Sequence, residues 1–142
     1  MLESGSIVFG VLKIDFHFID NTNKGNILSH IKSNAKEKNI YIDFINGVTE
    51  HIHCIISLNK DQTISKIMNL IKGESSFWIN KNKLTKMKFE WADEYFAVSV
   101  GESQLNKVRE YIKNQEQHHK TKSWEQECKE FMEKYGFSKM KG

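Results

Sequence analysis

The chain reads as an α+β domain of the ferredoxin-like kind: a βαββαβ antiparallel sheet with its first two helices on one face, then an added helix carrying a tyrosine, then one more helix. Three observations predict this. Short runs of alternating or continuous apolar residues separate stretches whose apolar residues recur every three or four positions. The two patterns follow one another as strand, helix, strand, strand, helix, strand. In the third strand Ile52, Cys54, Ile56 and Leu58 share one face, and His51, His53, Ile55 and Ser57 share the other. The apolar set belongs under the two helices, which turns the histidines to the open side, where a third helix can lie.

Each element has its own signal. Ile7 to Leu12 is a buried first strand, and Phe16 to Ile19 either prolongs it or forms an arm. The residues from Asp20 to Gly25 carry turn chemistry. Ile27, Leu28, Ile31 and Ala35 then recur at helical spacing, giving a first helix to about Lys38. Ile40, Ile42 and Phe44 alternate with Tyr41, Asp43 and Ile45, which predicts a half-buried strand ending at Asn46-Gly47. The third strand, His51 to Leu58, follows after a tight connection. Thr63 caps a second helix with Ile64, Ile67, Leu70 and Ile71 as its apolar stripe. That helix continues to Phe77-Trp78-Ile79 although Gly73 costs it about 1 kcal/mol of helix preference. Phe89, Trp91 and Tyr95 to Val100 supply the last strand region, and Gly101 punctuates it. A third helix runs from about Ser103 to His119. Ser123 with Gln126 makes a capping box for a fourth, which Gly136 ends.

At 142 residues the chain is expected to form one domain over 1–142, with residues 1–6 a loose end. A charged content of 27% against 39% hydrophobic suits a soluble globular fold rather than a disordered one. No apolar run reaches membrane-spanning length and the start lacks a signal-peptide pattern, so no membrane partner and a cytoplasmic location are expected. Cys54 and Cys128 sit in strand and helix patterns without metal-type spacing, which excludes a disulfide scaffold. Net charge is +3 and Arg109 is the sole arginine. A nucleic-acid partner would therefore be held through phosphate attraction, shape and stacking rather than bidentate reading of guanine.

Two rigid elements present the chemistry. His51 and His53 point the same way from a strand, and Tyr111 and Gln115 point the same way from a helix. Two imidazoles, an amide and a phenol can thus meet, as metal-assisted attack by tyrosine on a phosphodiester requires. The plainer reading is two partly buried histidines hydrogen-bonded to neighbours and a tyrosine at the core's rim. Glu50 is placed to orient an imidazole from outside the ligand set. Leu105, Val108 and Ile112 already form the third helix's apolar stripe, and Tyr111, Gln115 and His118 fall beside it. Spacing does not separate Gln115 from His118 as a third ligand. Lysines 72, 81, 83, 86 and 88 are either a solvated face or, with Phe77, Trp78, Phe89 and Trp91 among them, a surface for single-stranded or hairpin DNA. Stacking on such aromatics contributes about 1–3 kcal/mol per base.

Assembled, these residues resemble the small single-tyrosine HUH transposases of bacterial insertion sequences. Three places carry the resemblance: Glu50-His51-Ile52-His53, Ile71 to Ser76 with the following Trp91, and Tyr111-Ile112-Lys113-Asn114-Gln115 running on to His118-His119. It extends from about Leu28 to Gly136 and is poorest before residue 25, where the first strand reads as shortened. The resemblance implies His51, His53 and Gln115 as ligands of a divalent metal, Mn²⁺ or Mg²⁺, and Tyr111 as nucleophile. It implies a homodimer that cleaves and rejoins single-stranded or hairpin DNA at insertion-sequence ends through a 5′-phosphotyrosine. It also implies a hinge at Gly101, and in many members the tyrosine helix of one subunit completes the other's site. Two other readings stand beside it: a domesticated nicking enzyme with the same site, and a non-catalytic ferredoxin-like nucleic-acid-binding module.

Overall fold

Alternating apolar residues build the sheet from both sides. The computed structural model describes residues 6–14, 21–47, 51–85 and 88–113, together with 126, 129–130 and 133–134. Strand β1 spans Ser6–Ile14, β2 Tyr41–Gly47, β3 His51–Leu58 and β4 Trp91–Val100. All neighbours pair antiparallel in the order β2-β3-β1-β4, the split arrangement expected of a ferredoxin-like fold. Every residue of β3 is buried, so whatever it presents is held on a strand flanked by two others.

The helices α1 (Asn21–Glu37) and α2 (Ile64–Lys81) cover one face. There Val8, Leu12 and Ile14 of β1 and Ile52, Cys54 and Ile56 of β3 meet Ile27 and Ile31 of α1 and Ile67, Met68 and Ile71 of α2. Gly10 marks the closest approach: a Cβ there would lie 2.4 Å from the Met68 methyl. Thr63 caps α2 as expected, its side chain accepting from the Lys66 amide. Helix α3 (Leu105–Lys113) follows a single 3-10 turn at Glu102–Gln104 and lies on the opposite face. Its Val108 and Ile112, both fully buried, pack on Phe9, Val11, Ile55, Phe96 and Val98.

Four expectations change. Helix α1 begins at Asn21, inside the segment with turn chemistry. The Asn23 side chain donates to the Leu84 carbonyl at 2.9 Å, a contact 61 residues away that local preference does not include. Strand β1 is not shortened; it pairs with β3 along its length, from Ser6 to Lys13. In β2, Ile42 and Phe44 do not share a face. The ladder shifts between them, so Ile42 packs with the helix-side core and Phe44 with the α3 side. Such a bulge leaves one residue, Asp43, unpaired and reverses the faces beyond it. Last, Phe89 and Trp91 are core residues, 0% and 8% exposed, and not a stacking surface. The expected fourth helix falls mostly outside the described residues, of which Gln126, Lys129, Glu130, Glu133 and Lys134 are helical. Phe16 to Ile19, Ser123, Cys128 and Gly136 also lie outside them.

The Ile71–Ser76 motif has a structural explanation. Ser75, 1% exposed, accepts from the Trp91 indole nitrogen at 2.9 Å and donates to the Ile71 carbonyl. Lys72 Nζ donates to the Asp93 carbonyl at 2.8 Å, and Asn80 both accepts from and donates to the Phe89 backbone. Together they clamp α2 to the start of β4. Ser75→Ala should leave the buried indole N–H without its acceptor and cost about 1–3 kcal/mol in denaturant unfolding.

Burial pushes the Cys54 thiol up to about 12. In the unfolded chain a thiol titrates near 8.5. The folded state thus keeps its proton where the unfolded state has lost it, and stability present in full below about pH 8 declines as pH rises toward 12. Thermal midpoints measured across that window should fall more steeply for the native chain than for Cys54→Ala.

Candidate active site

The site begins with the pairing of three strands. His51 stands opposite Lys13 of β1; His53 stands between Val11 of β1 and Asn46 of β2. Directly opposed residues share a face, so Asn46 is on the histidine side only because the bulge at Asp43 put it there. His51 is 0% and His53 3% exposed, and their ring centroids are 5.7 Å apart.

Helix α3 brings the phenol. The half-buried Tyr111 has its ring centroid 6.3 Å from that of His53, with the planes at 71°. Phe9 joins them: its ring lies 5.9 Å from His53 and 6.1 Å from Tyr111. A hydrophobic ring thus forms the floor on which imidazole and phenol both rest. The helix is held at this height by more than its apolar stripe. Arg109 donates through Nε and Nη2 to Asp43 Oδ2, at 3.1 and 2.8 Å, and the Asn46 side-chain amide donates to the Ile112 carbonyl at 3.3 Å. One tether lies two residues before Tyr111 and the other one residue after it.

Three of the sequence-derived candidates, His51, His53 and Tyr111, therefore come together within a single chain. Gln115, its rival His118 and Glu50 lie outside the described residues. Among the described residues no third His, Cys, Asp or Glu completes a metal-binding group with the histidines. The pair itself fits a cation. Two rings sharing one ion must sit side by side, as rings at 5.7 Å do. Nδ1 and Nε2 of His51 and Nδ1 of His53 are shielded from solvent.

Reading residues one at a time missed Phe9, Asp43, Asn46 and Arg109. Arg109 was legible as the lone arginine and Asn46 as half of an Asn-Gly turn, but their partners are 66 residues away in each case. The lysine-aromatic surface reduces to less than expected. Phe77 is 65% exposed with Lys81 Nζ 5.8 Å from its ring. Trp78 stacks instead on His30, at 4.0 Å and 7°, and His30 Nε2 meets both oxygens of Glu74 at 2.9 Å. Lys72 is drawn to the Asp93 carbonyl, and partial burial lowers its pKa against the pull of the Asp93 carboxylate. Lys86 lies outside the described residues.

The fold has relatives among solved structures. The structure is similar to that of a protein of Deinococcus radiodurans R1 described as an inferred transposase, with a TM-score of 0.63 and 13% identity over 80% of this chain and 92% of that one. It is also similar to a REP-associated tyrosine transposase bound to a REP hairpin, with a TM-score of 0.65 and 18% identity over 84% and 72% of the two chains. No curated protein matches the sequence. The family model of IS200-like transposases matches residues 8–115. That match starts in β1, well before the Leu28 at which the resemblance begins on motifs alone, and ends just past α3. The chain belongs to the IS200-like transposase family.

Proposed function

We propose that this transposase cleaves and rejoins single-stranded DNA through Tyr111, with His51, His53 and Gln115 holding a divalent cation, Mn²⁺ or Mg²⁺. The observation that carries the reading is the placement of the Tyr111 ring 6.3 Å from that of His53, on helix and strand elements tied together by Arg109–Asp43 and Asn46. Two neutral imidazoles and an amide leave the ion's charge for phosphate to balance, and a mixed nitrogen–oxygen set suits manganese. When bound, the ion polarises the phosphoryl oxygen and favours charge on the departing oxygen.

The protein's own groups then account for the rest. A free phenol titrates near 10, so attack at neutral pH requires that the Tyr111 proton be given up as its oxygen forms the new phosphorus–oxygen bond. The bond to the 3′ oxygen breaks, and that oxygen takes a proton and leaves as a hydroxyl. The DNA 5′ end stays on Tyr111 as a phosphodiester. Because that linkage conserves the energy of the original ester, attack by a second 3′-hydroxyl reverses the step without ATP. Phe9 supports the phenol from below, and the two tethers of α3 limit the motions that would misplace it.

The substrate we infer is a folded single strand, by analogy with the hairpin bound to the REP-associated relative. A homodimer follows from the family resemblance, and its size is open to light scattering. Among the described residues no helix is long and apolar enough to cross a membrane.

Incubation with Mn²⁺ and a hairpin-bearing single strand taken from the DNA flanking the coding region should give a protein–DNA adduct on a denaturing gel. Tyr111→Phe should abolish the adduct and leave hairpin binding intact. Binding that ignores chelator, with no adduct from the native chain on any flanking strand, would instead favour a non-catalytic module. Cutting without rejoining of two ends would favour a nicking enzyme.

The third ligand separates by titration. Gln115→Ala should raise the Mn²⁺ concentration needed for half-maximal cleavage by at least the roughly 10–100-fold that loss of an outer partner costs. His118→Ala should leave it nearly unchanged; the opposite pattern would transfer the role to His118. His53→Ala should lose cleavage at every Mn²⁺ concentration while hairpin affinity stays within a factor of a few.

A further inference from the structure

A concavity opens on the sheet face that carries His53 and packs against α3. It has a volume of about 740 Å³, and Ile7, Tyr41, Ser57, Glu102, Leu105 and Arg109 are among the residues around it. This is the size of a small-molecule or single-residue pocket. It lies on the same sheet face and beside the same helix as the candidate active site, and Arg109 belongs to both. Ser57 lies on the histidine face of β3, four residues beyond His53, which is about 13 Å at strand rise. Tyr41 and Ile7 are its cross-strand partners on β2 and β1. Leu105 and Arg109 come from α3, on which Tyr111 follows Arg109 by two residues.

The chemistry of the lining narrows the occupant. The guanidinium of Arg109 is already engaged by Asp43 Oδ2 through Nε and Nη2 and by Asn106 Oδ1 through Nη1. Glu102, at the rim, adds negative charge. A phosphate would meet a guanidinium whose charge Asp43 already offsets, and a repelling carboxylate. A flat uncharged ring with a polar edge meets a better match: apolar contact from Ile7 and Leu105, the hydroxyl of the buried Ser57, and the face of Tyr41. Tyr41 is 58% exposed, an aromatic ring that the core does not use. Stacking of a base on such a ring is sequence-tolerant and strong for its size.

We propose that this cavity is a nucleobase pocket, receiving a base of the strand whose phosphate Tyr111 attacks, a few nucleotides from the cut. The proposal rests on the strand-transfer reading for the identity of the strand, but the pocket's affinity for a base does not need cleavage. The test is a titration of the full-length protein with deoxycytidine, deoxyadenosine and, separately, inorganic phosphate, followed by amide NMR. Deoxynucleosides should cause saturable shifts at Tyr41, Ser57, Glu102 and Leu105, and phosphate should not. Tyr41→Ala should weaken the apparent Kd about five-fold or more, whereas Tyr41→Phe, which keeps the ring, should bind as the native chain does. Shifts reproduced by phosphate alone, no saturable shift at millimolar nucleoside, or equal binding by Tyr41→Ala would each overturn it. An adduct on Tyr111 with no nucleoside binding removes this proposal only; nucleoside binding with no adduct removes the strand-transfer reading, and with it the assignment of the base to a cut strand, but leaves the base pocket.

Discussion

The packing of helix α3 against the open face of the sheet is the contact on which everything else in the site depends. Val108 and Ile112 of α3 are fully buried on Phe9, Val11, Ile55, Phe96 and Val98. Most of the stability of an amphipathic helix comes from tertiary packing of its apolar face, so covering this stripe is what holds α3 in place. Tyr111 adjoins the stripe, and its approach to His53 follows from the same burial. The polar tethers add direction where apolar contact supplies none. Arg109 to Asp43 and Asn46 to the Ile112 carbonyl bracket Tyr111 along the helix.

The two faces of β3 divide labour in a way its alternation makes unavoidable. Ile52, Cys54 and Ile56 enter the core under α1 and α2, and their neighbours His51, His53 and Ile55 are thereby sent to the other side. Burial on the first face sets the register, and a slip of one residue would exchange the two sets. Stability and chemistry are coupled in this strand: the residues that anchor it also aim the imidazoles. The long antiparallel ladder with β1 then keeps His51 and His53 at adjacent same-face positions.

On the helical side, α2 is fastened to β4 through Ser75, Lys72 and Asn80. This accounts for the motif from Ile71 to Ser76 and the later Trp91 without assigning them a place near the phenol. It also accounts for two of the aromatics between the lysines, since Phe89 and Trp91 are buried. The exposed Phe77 remains the one of that group whose ring faces water.

Element order, the split βαββαβ topology, the two faces of β3 and the apolar stripe of α3 were all legible in the residues, because each is a periodic pattern read within a dozen positions. So was the kinship between the histidine pair and the tyrosine helix, since the spacing of each is local. What required the tertiary structure was everything set by residues far apart in the chain. Asn23 in the first turn of α1 finds its partner at Leu84, and the face on which Asn46 emerges depends on a bulge that alternation does not announce. The floor under His53 and Tyr111 comes from Phe9, some forty and one hundred residues distant, and Arg109 acquires a role only beside Asp43. Local periodicity tells a side chain which way to point; only the closed sheet and the helix seated on it decide what it meets there.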